Sequence, residues 1–157
     1  MKIALIIICC LVGITFVVLL VRSRIAPTYP VTVRDIPEVI SQLDRSSKDG
    51  HFVVFMFVPP GSTDSESVNL QYAIDGGVVG LDWVLLGKRN IADRAEVSEF
   101  AAKLGYRLDE REMNGVRYMR LTGSGIAELG AKIVQDFYKI SPDTKLGMIT
   151  EGFKWQP

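Results

Sequence analysis

Hydrophobic positions along the chain fall into runs of different period, and each period predicts an element. From Ile3 to Val21 no charge interrupts an apolar stretch. At about 1.5 Å per residue a helix of that length reaches roughly 28 Å, close to the ~30 Å hydrocarbon core of a bilayer. The run exceeds the apolar core of a signal peptide and is followed by Arg22, Ser23, Arg24 and Ile25 instead of a small-residue cleavage site. These features predict a transmembrane anchor over residues 1–24, contacting the lipid bilayer through Ile3 to Val21. The segment IAPTYP, residues 25–30, carries two prolines and reads as a short stiff linker.

A different pattern begins at Asp35. In DIPEVISQLDRSS, Ile36, Val39, Ile40 and Leu43 fall on one helical stripe, and Asp35 with Glu38 has the spacing of a capping box. HFVVFMFV is a continuous run rich in β-branched and aromatic residues, which predicts a central strand. After the solvated break PPGSTDSES, the stretch VNLQYAIDGGVVGLDWVLL alternates with period two. A turn at Asp75-Gly76 pairs Ile74 with Gly77, Tyr72 with Val79, Leu70 with Leu81 and Val68 with Trp83 on one apolar face. DRAEVSEFAAKLG repeats the capping pattern at Asp93 and Glu96, sets Val97, Phe100, Ala101 and Leu104 on a stripe, and stops at Gly105.

YRLDEREMNGVRYMRL predicts a second hairpin turning at Asn114-Gly115, with Leu108 opposite Leu121, Glu110 opposite Met119, Glu112 opposite Arg117 and Asp109 opposite Arg120. Its DERE segment reads as a solvated ribbon of cross-strand charge pairs, not a catalytic carboxylate cluster. A third helix starts near Ser124 and turns Ile126, Leu129, Ile133, Val134 and Phe137 inward, and the C-terminal KLGMITEGFKWQP adds a possible short strand. The fold class is therefore α+β: an N-terminal transmembrane helix, then an antiparallel sheet with packed helices in the order α-β-β-β-α-β-β-α and a possible terminal strand. Residues 31–157 form a single soluble domain.

Composition narrows the function classes. The whole chain is formally neutral, with 18 basic and 18 acidic residues, and the three basic residues of the first 24 leave the remainder near −3. That balance offers no basic stripe and excludes a nucleic-acid footprint. Positive flanks follow the apolar run as well as precede it, and a margin of about one charge favours a cytoplasmic over an outward-facing domain. The only cysteines, Cys9 and Cys10, lie inside the apolar run and read as lipid-facing side chains. With a single histidine and no cysteine beyond that run, the soluble domain is expected to hold no metal and no cofactor.

His51, at the start of an apolar strand, reads as a structural histidine, and Asp82 as the polar-face residue of its strand. GSGIAELG opens a helix after a strand, but Glu128 stands where a dinucleotide loop needs its third glycine and the strand belongs to a hairpin.

The order of elements from Asp35 to Tyr138, with hairpins at DGG and MNG, resembles the type III secretion chaperone and YbjN-like fold group. The resemblance implies an antiparallel sheet backed by helices and a domain that binds polypeptides, although the membrane span departs from the soluble secretion chaperones. The reading is a membrane-tethered, non-enzymatic protein-binding module, chaperone-like or immunity-type, with a protein partner. Its candidate anchors are Tyr118 on the outer face of the second hairpin and Phe153 and Trp155 in the tail, the latter two either packed back on the domain or presented to a partner. Two other classes stay open: a small carboxylate-dependent hydrolase or ligand-binding enzyme, and a structural accessory subunit of a membrane complex.

Overall fold

The computed structural model describes residues 31–157; the anchor and linker expected over residues 1–30 lie outside the described residues. Among the described residues no helix is long and apolar enough to cross a membrane. The elements follow as β1 (Val31–Thr32), α1 (Ile36–Ser46), β2 (Phe52–Phe57), β3 (Val68–Asp75), β4 (Val78–Val84), α2 (Lys88–Ala92), α3 (Arg94–Lys103), β5 (Arg107–Met113), β6 (Val116–Thr122), α4 (Ile126–Lys132) and β7 (Lys145–Glu151). All seven strands join one antiparallel sheet in the order β1-β7-β2-β3-β4-β6-β5. The α+β class and its helix-backed antiparallel sheet agree with the alternation read from the chain.

The expected terminal strand is present, and its length and place in the sheet are what differ. It is seven residues long and inserts between β1 and β2, so the C-terminal segment completes the sheet from inside. β1, which has only two residues, pairs Val31 with Leu146 and Thr32 with Lys145. The first hairpin also differs in register: Asp75 faces Val78, Ile74 faces Val79 and Tyr72 faces Leu81. Its turn is Gly76-Gly77, with φ of 59° and 72°. A type I′ turn requires positive φ at both central positions, and a glycine pair meets that demand without the Cβ strain an Asp at the first of them would carry. The pairing slides by two residues, an even shift, so the same side chains stay on the same face.

The second hairpin has the expected register throughout, from Met113 opposite Val116 to Arg107 opposite Thr122. Its turn residues Asn114 and Gly115 have φ of 53° and 78°, and a Cβ at Gly115 meets open space. Gly115→Val is therefore a purely conformational insult. It should lower stability by roughly 1–3 kcal/mol, read by urea denaturation, and an unchanged midpoint would contradict the turn assignment.

Helix starts depart from the capping boxes read in the sequence. The Asp35 carboxylate turns back to the Thr32 amide and hydroxyl, both at 2.8 Å, while Glu38 reaches along α1 to Arg45 at 3.0 Å. Asp93 does not cap α3 with its side chain, because α2 precedes it without an extended residue between; it is buried and accepts from Arg89 Nε and Tyr138 Oη, each at 2.6 Å. Burial first, then the Asp93 carboxylate, hold the Tyr138 hydroxyl protonated well above the usual range. Leu104, expected inward, lies beyond the last residue of α3 and is 43% exposed.

The core lies between one face of the sheet and the helices. Val53, Phe55, Leu70, Tyr72, Leu81, Trp83 and Leu121 meet Ile36, Val39, Leu43, Val97, Leu129 and Ile133 there. Tyr72 is the pivot. Its hydroxyl donates to the Ile126 carbonyl at 3.0 Å and accepts from the Gly130 amide at 2.7 Å. Those two groups are an i, i+4 pair, so the phenol stands in for one rung of the helix ladder. The helix then widens into a π turn over Ile133–Phe137.

A Cβ on residue 130 would collide with the Tyr72 hydroxyl. Gly130→Ala offers about 1 kcal/mol of helix propensity, yet the collision should reverse the sign to a net loss of roughly 1–3 kcal/mol. Tyr72→Phe in the same background should recover part of that loss, and a stabilised Gly130→Ala domain in thermal unfolding would refute the insertion.

Candidate functional site

Period-two alternation sends Val53, Phe55 and Phe57 into the core and leaves Phe52, Val54 and Met56 on the reverse face. Every helix that touches the sheet does so on the core side. Trp83 donates to the Asn90 carbonyl of α2, Ser98 of α3 contacts Met119, and Tyr72 enters α4. On the reverse face Phe52, Val54, Met56, Gln71, Ala73 and Ile149 stay only half-buried.

That open face has two halves. Toward β7 it is apolar and half-buried: Val54 lies between Ile149 and Gln71, Phe52 faces Ala73, and Met56 lies over Gly147. Toward β5 it is charged. β4 and β6 are neighbours although α2, α3 and β5 separate them in the chain, and their register sets Asp82 opposite Arg120. Arg120 Nη1 donates to both Asp82 oxygens at 2.8 and 3.0 Å, and Nη2 to the Ala73 and Val78 carbonyls at 3.0 and 2.9 Å. Both residues are buried, 5% and 3% exposed.

Gly80 makes room for this guanidinium, since a Cβ there would meet Arg120 Cζ at 2.8 Å. Above the pair, Arg111 of β5 reaches Asp75 of β3 at 2.7 Å, across two intervening strands. Burial pushes the Asp82 carboxyl up to about 6 against the pull of Arg120 and Arg111.

The three anchors read from the sequence separate into two places. Tyr118 is half-buried on the open face, opposite Arg111 on one side and Val84 on the other. Phe153 is half-buried on the opposite side of the domain, beside a shallow polar cleft that the tail forms with Gln42, Arg45 and Ser46 of α1. Trp155 is 7% exposed and part of the core, so of its two readings it takes the packed one, and it is not a surface anchor.

The alternation along the chain does not single out the Asp82–Arg120 pair. Arg120 does stand opposite Asp109 as expected, but its guanidinium bonds the neighbour on its other side. The exposed ribbon charges also pair differently from the direct cross-strand scheme. Glu110 takes Arg117 on the diagonal at 3.2 Å and Arg94 from α3, and Arg111 takes Asp75 and Asp109.

His51 Nδ1 lies 2.8 Å from Ser46 Oγ, and that hydroxyl is 2.6 Å from the Leu43 carbonyl, to which it donates. The imidazole then supplies the proton of the Ser46–His51 bond, the reverse of a base activating a nucleophile. Among the described residues no group of three or more His, Cys, Asp or Glu side chains is placed to hold a metal ion. Comparison with known proteins finds no matching family model, curated protein or solved structure.

Proposed function

We propose that this chain is a membrane-tethered, non-enzymatic protein-binding module, chaperone-like or immunity-type, whose partner docks on the open face of the sheet. The observation that supports it is the one-sided sheet itself: Phe52, Val54, Met56 and Ile149 stand half-buried on the same face as Tyr118 and a fixed array of charges. An apolar centre gives a partner area to bury, and held charges set its register at low entropic cost. The order of elements, in its resemblance to a group that binds polypeptides, argues in the same direction. Tethering rests on the apolar run from Ile3 to Val21.

Full-length chain carrying a photocrosslinker at Gln71 tests this in native membranes. Val54→Glu should abolish the crosslinked species, and Tyr118→Ala should weaken capture by roughly 1–3 kcal/mol, with thermal unfolding unchanged in both. Replacing residues 1–24 by an unrelated span should leave the crosslink intact, which separates a docking domain from an accessory subunit bound through its span. Capture unaffected by both face variants would remove the open face from the proposal. Folded His51→Ala without biological activity, beside normal capture by Tyr118→Ala, would favour the hydrolase reading.

A further inference from the structure

The tail after β7 is held on α1 in a way that reads as a ligand on a receptor. Gln42 clamps the backbone of Gln156 through both ends of its amide: Nε2 donates to the Gln156 carbonyl at 2.8 Å, and Oε1 accepts from the Gln156 amide at 3.2 Å. One residue earlier, Trp155 is buried in the core, and two residues before that Phe153 packs at its margin. The clamp addresses only main-chain groups, so it suits any extended segment that delivers an aromatic side chain one position before it.

Two features mark the tail as an exchangeable occupant. The Trp155 indole N–H is buried with no acceptor among the described residues, a penalty that a ring without N–H escapes. The segment also leaves β7 through Gly152, whose φ of +84° and lack of room for a Cβ beside His51 make a sharp corner between strand and tail. The tail itself forms no strand or helix.

We propose that the seat on α1 is a recognition site for a short extended peptide carrying an aromatic residue, and that Phe153–Pro157 of this chain fills it as an intramolecular competitor. This rests on the reading of the domain as a protein-binding module and adds a second site to it, on the helical side of the sheet, away from the open face. A partner segment of that chemistry displaces the tail. Binding there is therefore weak until the tail is released, because a tethered competitor acts at a high effective concentration.

The probe is the synthetic peptide EGFKWQP, together with its Trp→Ala form. Full-length chain labelled with 5-fluorotryptophan has two tryptophans, Trp83 and Trp155. Millimolar EGFKWQP should shift the fluorine signal of Trp155 toward that of exposed tryptophan and leave the signal of Trp83 in place, and the Trp→Ala peptide should shift neither. In full-length Trp155→Ala the intact peptide should bind about tenfold or more tightly than to the unmodified chain, and adding Gln42→Ala should reverse the gain.

A Trp155 signal unmoved by the peptide in the unmodified chain would overturn the proposal whether or not Trp155→Ala folds. Concentration-dependent dimers that exchange tails would also overturn it, assigning the seat to a second copy. Val54→Glu serves as the control between sites. Normal peptide displacement with lost partner capture supports the tail site, whereas absent displacement with normal dependence on Val54 refutes the tail site and leaves the open face standing.

Discussion

Arg120→Ala is expected to cost the folded domain about 3–5 kcal/mol, the range for removing one partner from a buried ion pair. The guanidinium makes two bonds to Asp82 and one each to the Ala73 and Val78 carbonyls, in a site 3% exposed. Its loss strands the Asp82 carboxylate on the sheet without a counter-charge. Two companions separate this cause from lost packing. Gly80→Ala has no backbone reason to be harmful, since its φ is ordinary, yet its Cβ points into Arg120. It should reproduce much of the loss by evicting the guanidinium. Arg120→Met with Asp82→Leu removes both charges and should lie closer to the unmodified protein than either single change. Urea denaturation of these variants decides the matter, and an Arg120→Ala domain within 1 kcal/mol of the parent would mean that the pair is not desolvated as described.

Which features were legible from residues alone follows the range of the interaction behind them. The Asn114-Gly115 hairpin was readable to the residue because turn chemistry and alternation act over neighbouring positions and agree. In the first hairpin Asp75-Gly76-Gly77 offers two adjacent two-residue turns that local chemistry allows, and the one formed puts a glycine at both positive-φ positions. The α1 stripe of Ile36, Val39, Ile40 and Leu43 is legible from its spacing, and all four are buried. The cap is not, because Thr32 draws Asp35 backwards. Pairings between distant segments left no local mark. Nothing near Lys145–Glu151 announces insertion between β1 and β2, and nothing near Arg120 announces that β4 is its neighbour. The candidate site depends on that second pairing, so Asp82 looked like an ordinary polar-face residue. A hint was present in its setting, since Asp82 sits in Gly80-Leu81-Asp82-Trp83-Val84, where the other side chains are apolar. A carboxylate so placed needs a cation from somewhere.

The pH dependence of stability should carry the signature of the same carboxyl. Asp82 titrates near 3.8 in an unfolded chain and near 6 when buried on the sheet. The folded state therefore binds the extra proton between those values, and its stability is full below about pH 4 and lost progressively as pH rises through 6. At about 1.4 kcal/mol per pH unit, this group alone makes the fold roughly 3 kcal/mol less stable at neutral pH than in acid. Glu66 and Glu99, held below the usual carboxylate range by Thr63 and Lys103 respectively, act with the opposite sign, so the raw curve mixes both trends.

Subtracting the curve of Asp82→Asn, which stays neutral, isolates the term. The difference should fall across pH 4–6 and level off above. Arg120→Ala sharpens the test. Without the cation the carboxyl titrates higher still, so its destabilisation should be smaller near pH 5, where Asp82 takes up a proton, and should widen toward pH 8. Parallel curves for the parent and Arg120→Ala across that interval would show that Asp82 does not titrate in the folded domain, and the electrostatic account of the open face would fall with it.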